Sequence, residues 1–209
     1  MIFGRLRITR RTIVESQFGE PMTWRTTEDL GTREDAWLCR CGGSHTKPFC
    51  DDTHLSNGFI GAEAAPTSNY DDRAESLGGA GMVIRKDQSI CEHTGFCGNR
   101  FEGIRAMAAS LDEDDTVERA LLMAIIEHCP SGALTFKIAE DDVDVEPELR
   151  LGVGVTADGP YFVTGGVPVE RSDGETFETR NRMTLCRCGG SAMMPLCDGT
   201  HRSNGFHDA

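Results

Sequence analysis

Leu38-Cys-Arg-Cys-Gly-Gly-Ser44 and Leu185-Cys-Arg-Cys-Gly-Gly-Ser191 are identical stretches that lie 147 positions apart in one chain. Each stretch opens a C-x-C-x8-C-x3-H pattern, and the letters S-N-G-F follow each pattern one residue later. Three thiolates and one imidazole form a site for a soft metal, so the repeat predicts two metal centres in tandem. The predicted ligands are Cys39, Cys41, Cys50 and His54 in the first copy and Cys186, Cys188, Cys197 and His201 in the second.

The spacing within each pattern indicates how its ligands meet. A C-x-C pair places two thiolates on one tight loop, and a helical turn after the third cysteine brings positions i and i+4 to the same face. A serine hydroxyl can donate to metal-bound sulfur, and an aspartate directly after the third cysteine suits a helix N-cap. These supporting residues are Ser44 and Asp51 in the first copy and Ser191 and Asp198 in the second.

Length and composition limit the class of protein. The chain has 209 residues, of which 38% are hydrophobic and 7% aromatic, and it contains 24 glycines. Such a thin core suits modules that take part of their folding free energy from bound metal. The sequence shows neither a membrane-spanning apolar run nor a signal peptide, so we expect a soluble, cytoplasmic protein. In a reducing compartment the nine cysteines are better explained as ligands than as disulfides.

The chain is strongly acidic, with a formal net charge of −13. This balance argues against nucleic-acid binding, which usually shows a basic face. The acidic clusters at 112–115 and 140–144 are explained by solvated loops. They would also suit docking of a redox partner with a basic face, because opposite charge steers the encounter.

The repeat sets the domain boundaries. We predict a first module at 1–61, a linker at 62–81, a middle module at 82–139 and a last module at 140–209. The linker segment is small and polar and has no periodicity. Alternating or β-rich runs predict strands at 6–8, 12–14, 135–139, 149–156, 161–169 and 182–185, and apolar periodicity predicts helices at 99–111 and after a capping box at Asp115 and Glu118.

The remaining cysteines form a third group with a different spacing, Cys91, Cys97 and Cys129. A close pair followed by a distant Cys-Pro, with a helix before the last cysteine, is a ferredoxin-like arrangement. The alternative is a structural domain whose buried thiols hold no cluster.

The two repeated segments resemble the CDGSH-type iron–sulfur family, which includes the NEET proteins. The matching letters are C-R-C-G-G-S, P-x-C-D and T-H. The resemblance implies two [2Fe–2S] clusters, each held by three cysteines and one histidine. It also implies small β-rich modules that pair, here as an internal pseudo-dimer, so that with a ferredoxin-like module between them the fold class is α+β. A zinc site is the alternative, since cysteine and histidine also suit tetrahedral zinc.

The two sites are not expected to be equivalent. Lys47 stands in the first copy where the second has Met194, and a cation near a cluster favours its reduced state. Asp52 stands where the second copy has Gly199, and its negative charge acts in the opposite direction. The sequence leaves open which effect is larger.

The middle module resembles divergent single-cluster ferredoxins in two stretches, Cys91-Glu-His-Thr-Gly-Phe-Cys97 and Cys129-Pro-Ser-Gly-Ala-Leu134. The resemblance implies a [3Fe–4S] or a [4Fe–4S] cluster. Three thiolates are enough for the former. The latter needs a fourth ligand, for which His93 is the nearest candidate.

Together these features predict an iron–sulfur protein that acts in electron transfer and is not an enzyme. The sequence contains no dinucleotide fingerprint, P-loop or nucleophile elbow. A histidine ligand raises the reduction potential and makes a cluster acid-labile, so cluster transfer, storage or redox and pH sensing is the alternative. A zinc-binding interaction module is less favoured. We expect a monomer with internal pseudo-twofold symmetry.

Overall fold

The computed structural model describes residues 1–138 and 142–208. The predicted boundary between residues 139 and 140 therefore lies outside the described residues, as does part of the acidic cluster at 140–144. In the described part of the chain, no helix is long and apolar enough to cross a membrane. The elements follow in the order β1 (Leu6–Glu15), β2 (Pro21–Arg33), α1 (Tyr70–Arg73), β3 (Glu75–Gly78), β4 (Val83–Lys86), α2 (Ile104–Ser110), α3 (Thr116–Glu127), β5 (Leu134–Lys137), β6 (Gly152–Thr156), β7 (Tyr161–Thr164) and β8 (Arg182–Leu185).

Strands from the two ends of the chain form one five-stranded sheet in the order β2-β1-β6-β7-β8. β1 pairs with β6 in parallel, with Ile8 opposite Val153, and both side chains are buried in the core of this sheet. The first and last modules therefore share a sheet and a core. The remaining core residues are Ile2, Leu6, Val155, Tyr161, Val163 and Met183.

The alternation in the sequence locates β6, β7 and β8, although β6 and β7 are shorter than predicted. It does not predict β2, because Pro21–Arg33 is mostly polar and mostly exposed at the edge of the sheet. An edge strand that is exposed on both faces has no apolar side to reveal it.

The middle of the chain forms a second layer, a three-stranded antiparallel sheet in the order β3-β4-β5 with α2 and α3 packed against it. The capping residue of α3 is Asp115, as predicted, since its carboxylate accepts the backbone N–H groups of Val117 and Glu118. α2 starts at Ile104 and not at residue 99, because residues 98–103 form a tight turn closed by the Gly98–Gly103 bridge. The structure is thus α+β, as expected.

The predicted linker, residues 62–81, is partly folded. It contains α1 and β3, and β3 pairs with β4 through Glu75 opposite Lys86. Tyr70 is buried, and its hydroxyl lies 3.2 Å from the carbonyl oxygen of Ala133. A four-residue edge strand is held mainly by main-chain pairing, so its sequence carries little apolar alternation.

The two C-x-C loops meet through their main chains. Cys41 and Cys188 form an antiparallel bridge. A Cβ atom placed on Gly42 would lie 2.7 Å from the carbonyl oxygen of Cys188, and one placed on Gly189 would lie 2.7 Å from that of Cys41. This reciprocal contact is the arrangement expected for an internal pseudo-dimer.

Further contacts between the end modules are made by a different type of side chain on each side. The guanidinium of Arg40 donates to the carbonyl oxygens of Cys186 and Pro195, at 2.6 and 3.0 Å. The hydroxyl of Tyr161 lies 2.7 Å from the carbonyl oxygen of Cys39 and 2.8 Å from that of Pro48. Each module therefore supports the metal loop of the other.

We predict that Gly189→Ala lowers the free energy of unfolding by roughly 2 to 4 kcal/mol, because the added methyl group overlaps the Cys41 carbonyl and the backbone has a positive φ. Gly205→Ala is the matched control, since Gly205 has a φ of 73° against 77° for Gly189 but no heavy atom within 4 Å of an added Cβ. It should cost only about 1 kcal/mol. Chemical denaturation measures both values, and equal losses would contradict the close contact of the two loops.

Candidate metal centres

The first metal loop is a β-bridge followed by a short turn. Leu38 pairs with Phe49, so the chain next to Cys39 runs beside the chain next to Cys50. The sulfurs of Cys39 and Cys41 are 3.8 Å apart. The sulfur of Cys50 lies 3.5 Å from Nδ1 of His54, which stands on the 3₁₀ turn Thr53–Leu55. The four predicted ligands thus form two close pairs.

The second metal loop repeats this construction. Leu185 pairs with Leu196, and the sulfurs of Cys186 and Cys188 are 3.7 Å apart. The sulfur of Cys197 lies 3.4 Å from Nδ1 of His201. In both loops the helical turn that presents the histidine to the cysteine four positions earlier is a short 3₁₀ turn.

The separations within each pair suit one metal ion. Tetrahedral bonds of about 2.3 Å to sulfur and about 2.0 Å to nitrogen place two sulfurs about 3.8 Å apart and sulfur and nitrogen about 3.5 Å apart. In the described residues, however, only Cys50, Asp52 and His54 bring three possible ligand atoms within 4.8 Å of one another. The C-x-C pair and the Cys–His pair of each loop are therefore too far apart to share a single tetrahedral ion. They fit a centre with two metal ions.

The three middle cysteines surround a cavity of about 200 Å³. Burial raises the pKa of the Cys91 and Cys97 thiols, and the charge of Cys129 raises both further. The backbone N–H of His93 lies 3.4 Å from the sulfur of Cys91. The cavity is lined by Lys86, Gln88, Cys91, Glu92, His93, Thr94, Gly95, Phe96, Cys97, Cys129, Ser131, Ala133 and Leu134. The structure thus gathers the predicted ligands of the third site around one space, and the imidazole of His93 is at the exposed side.

Comparison with known families agrees with this geometry. The family model described as "Iron-binding zinc finger CDGSH type" matches residues 3–55 and 158–202. The model described as "Divergent 4Fe-4S mono-cluster" matches residues 77–138. The chain contains two CDGSH-type iron-binding modules. Its two CDGSH modules flank a divergent single-cluster domain, as the sequence motifs predicted. No curated protein and no solved structure shows a significant match.

Backbone amides face the sulfurs of both CDGSH modules. The N–H groups of Gly43 and Gly190 lie 3.4 Å from the sulfurs of Cys41 and Cys188. In the first module the N–H of Asp52 also lies 3.4 Å from the sulfur of Cys50. Such donors favour the thiolate form and hold the ligands in place.

Three of the ligand thiols in the CDGSH modules would be costly to ionise alone. Burial raises the pKa of Cys39 and of Cys197. The hydrogen bond between Cys186 and Cys188 raises the pKa of the former and lowers that of the latter to about 6. Buried thiolates need a positive charge to compensate them, and bound metal provides it. All nine cysteines are free in the structure.

The predicted supporting residues act differently from the sequence expectation. The hydroxyls of Ser44 and Ser191 do not donate to sulfur but to the carbonyl oxygens of Phe49 and Leu196, each at 2.7 Å. Their backbone N–H groups are the ones that face Cys39 and Cys186. The hydroxyl is drawn away because a backbone carbonyl inside the loop is a stronger acceptor than sulfur.

Asp51 and Asp198 also differ from the prediction. The N-cap positions of the two turns are Asp52 and Gly199, and neither makes a side-chain capping bond. The carboxylate of Asp51 instead joins two parts of the loop, because it accepts from the backbone N–H groups of Thr53 and His45. Hydrogen bonds from Thr53 and His45 hold the pKa of Asp51 well below its usual range. Asp198 makes the equivalent bonds to Thr200 and Ala192.

The two CDGSH sites differ in their surroundings. His201 is 8% exposed, whereas His54 is half-buried. The carboxylate of Asp52 lies 3.8 Å from the sulfur of Cys50, so the first site has an extra oxygen ligand within reach. Lys47 is half-buried, and its carbonyl oxygen accepts from Arg10. The predicted effect of the Lys47 charge on the first site stays a prediction.

Sequence reasoning missed two residues at these sites. Arg40 stands between two ligands of the first module but donates to the main chain of the second. Glu92 stands between Cys91 and His93 and is buried, with Oε2 lacking a hydrogen-bond partner. In both cases the sequence places a charged residue directly beside a ligand cysteine. That position alone does not predict a structural role, because charged residues are usually exposed.

We predict that the second CDGSH site keeps its metal to lower pH than the first. Burial, together with the positive charges of Arg202 and Arg187, lowers the pKa of His201 to about 4. Because only the neutral imidazole binds metal, protons compete at this site only near that pH. The more exposed His54 gives protons and water easier access to the first site.

Single-site variants separate the two signals. Cys197→Ala removes a ligand of the second CDGSH site and keeps the first site intact. Cys50→Ala removes a ligand of the first site and keeps the second intact. Visible absorption followed between about pH 7 and about pH 5, on either side of the usual histidine pKa, should fall first in Cys197→Ala. Equal rates of loss, or faster loss in Cys50→Ala, would contradict the prediction.

Proposed function

We propose that each CDGSH module binds a [2Fe–2S] cluster and that the protein transfers single electrons between partner proteins. The observation that carries the proposal is the division of each ligand set into two pairs. Each pair has the spacing of two ligands on one tetrahedral metal ion, and the pairs are too far apart for a single ion. A cluster with two metal ions satisfies both pairs.

The ligand assignment follows from the pairs. In the first module Cys39 and Cys41 hold one metal ion, and Cys50 and His54 hold the other. In the second module Cys186 and Cys188 form the first pair, and Cys197 and His201 form the second. Such clusters take up or release one electron at a time. This role needs no organic substrate, and the proposal assigns the protein no catalytic residue.

The middle domain is proposed to hold a third cluster, of the [3Fe–4S] or [4Fe–4S] type. The support is the cavity of about 200 Å³ that Cys91, Cys97 and Cys129 line. The sulfurs do not lie close enough to serve one metal ion, which suits a larger cluster. His93 lines the same cavity and is the proposed fourth ligand of a [4Fe–4S] cluster.

The proposed partner is a redox protein with a basic docking face. The chain carries a net charge of −13, and steering by opposite charge accelerates encounter. Trp37 and Leu55, next to the first metal loop, are 62% and 80% exposed, so an apolar contact can form beside the charged surface. We propose a cytoplasmic monomer with internal pseudo-twofold symmetry that binds no nucleic acid.

Cluster transfer, storage or redox and pH sensing is the second candidate function. The observation in its favour is the exposure of the first site, where His54 is half-buried and Asp52 is exposed beside it. A carboxylate next to a histidine ligand can replace that ligand when the cluster leaves. A zinc-binding interaction module has less support, because a single zinc ion needs all four ligands within about 3.8 Å of one another.

We predict that His201→Cys lowers the midpoint potential of the second cluster, because a thiolate stabilises the oxidised iron more than a neutral imidazole does. The variant should also slow the loss of that cluster at acid pH. His207→Cys is the control, since His207 is exposed and is not a predicted ligand. Protein-film voltammetry gives the potential, and an unchanged potential and acid lability would reject His201 as a ligand.

We predict that Cys129→Ala removes the EPR signal of a third cluster and spares both [2Fe–2S] signals. Ser131→Ala is a suitable control, because the Ser131 hydroxyl lies 3.7 Å from the Cys129 sulfur and is not a predicted ligand. Loss of all three signals in Cys129→Ala would mean that the middle domain holds the fold together. In that case the variant would not support a separate middle site.

A further inference from the structure

We infer that the second CDGSH site, and not the first, adjoins the middle site, so that the three sites form a series in the order middle, second, first. The inference rests on the proposed function, in which all three sites hold iron–sulfur clusters. Its support is a set of contacts between the loop of Cys91 and the loop of Cys197. The first module does not have the residues that make these contacts.

The main chain at Glu92 lies directly on the second metal loop. Glu92 follows Cys91, and its carbonyl oxygen accepts from the guanidinium of Arg202, the neighbour of His201. A Cβ atom placed on Gly199 would lie 2.8 Å from the same carbonyl oxygen. The turn between Cys197 and His201 is therefore in van der Waals contact with the loop that carries Cys91.

The side chain of Glu92 fills the space between the two sites. It is 1% exposed, and its Oε1 accepts from the hydroxyl of Thr94 at 2.8 Å. Glu92 lines the cavity of about 200 Å³ at the middle cysteines. It also lines a second cavity, of about 350 Å³, that contains His201. One residue thus forms part of the wall of both cavities.

The apolar core joins the same two sites. Leu196 precedes Cys197, and Ile90 precedes Cys91, and both are buried in the core of the middle module. Cys129 belongs to the same core. The ligand-bearing segments of the middle and second sites are therefore fixed to each other by packing as well as by hydrogen bonds.

The first module differs at the two positions that make the contact with Glu92. Asp52 stands in place of Gly199 and is exposed, and Leu55 stands in place of Arg202 and is 80% exposed. The contact with Glu92 explains why the two copies differ at these two positions. Glycine is needed at 199 because a side chain would overlap the Glu92 carbonyl, whereas at 52 the surface is open to solvent.

The first module reaches the middle module through its β1–β2 hairpin. Trp24 packs against Phe96 with ring centres 5.3 Å apart and donates to the carbonyl oxygen of His128. Its metal loop instead meets the second metal loop, through the Cys41–Cys188 bridge. The first site is thus linked to the middle site by way of the second.

The series sets a route for single electrons. When an electron moves along it, the site that loses the electron is oxidised by one unit and its neighbour is reduced by one unit. No bond or proton needs to change. The external donor and acceptor are one-electron redox proteins, and the first site is the exposed end at which one of them docks.

EPR spectroscopy of the reconstituted full chain, reduced with dithionite, tests the order of the sites. Cys50→Ala, which removes the first site, should keep the magnetic interaction between the middle and the remaining cluster, seen as line broadening and faster spin relaxation. Cys197→Ala, which removes the second site, should lose that interaction. Iron and sulfide analysis of each variant shows which clusters are present.

Two substitutions test the contact itself by giving the second module the residues of the first. Gly199→Asp and the milder Arg202→Leu should each weaken the magnetic interaction and speed amide hydrogen exchange in residues 91–95. Asp52→Gly, the reverse change in the first module, should alter neither. Hydrogen exchange does not depend on electron transfer, and it can be read in the metal-loaded protein of both variants.

The outcomes are distinguishable. The inference is overturned if the middle cluster interacts with the first site in Cys197→Ala, or if three loaded clusters show no interaction in the unmodified protein. It is also overturned if two [2Fe–2S] clusters load and no middle cluster forms. A protein that binds zinc and no iron–sulfur cluster would overturn the proposed function itself, and the inference with it.

Discussion

The main-chain contact between the two C-x-C loops is the constraint on which the rest of the structure depends. Gly42 and Gly189 each face a carbonyl oxygen of the opposite loop, with no room for a side chain. That contact fixes the distance between the two metal loops. Next to it β1 and β6 pair in parallel, so the two ends of the chain share one sheet. The middle module is held beside the sheet, because residues that precede it and residues that follow it in the chain are buried in one core.

The near-identical motifs are placed in unlike surroundings, and this creates the asymmetry between them. The second metal loop is covered by the middle module, so His201 is buried and Gly199 has to remain a glycine. The first loop faces solvent, so Asp52 is tolerated there and Trp37 and Leu55 are exposed. One covered site and one accessible site suit a carrier that receives electrons internally and passes them on at its surface. They also suit the second candidate function, because a cluster can leave only from an accessible site.

The sequence predicts which candidate ligands the structure brings into close pairs, because their repeat is nearly exact and the chemistry of thiolate and imidazole is specific. It predicts β8 because an apolar alternation marks that strand. It does not predict β2 or β3, since both are edge strands held by main-chain pairing. The roles of Ser44 and Asp51 depend on which acceptors the folded loop brings near, and spacing alone does not reveal that. The contact between Glu92 and Gly199 joins residues far apart in the chain, and only the packing of the middle module on the second loop brings them together.

We propose that each CDGSH module holds a centre with two metal ions. Iron, acid-labile sulfide and zinc content of the anaerobically purified protein, measured with its visible spectrum, tests it most directly. We expect at least about four irons and four sulfides per chain, rising to about seven or eight irons with the middle cluster loaded, and no stoichiometric zinc. About one zinc ion per CDGSH module, with no visible absorption, would contradict it.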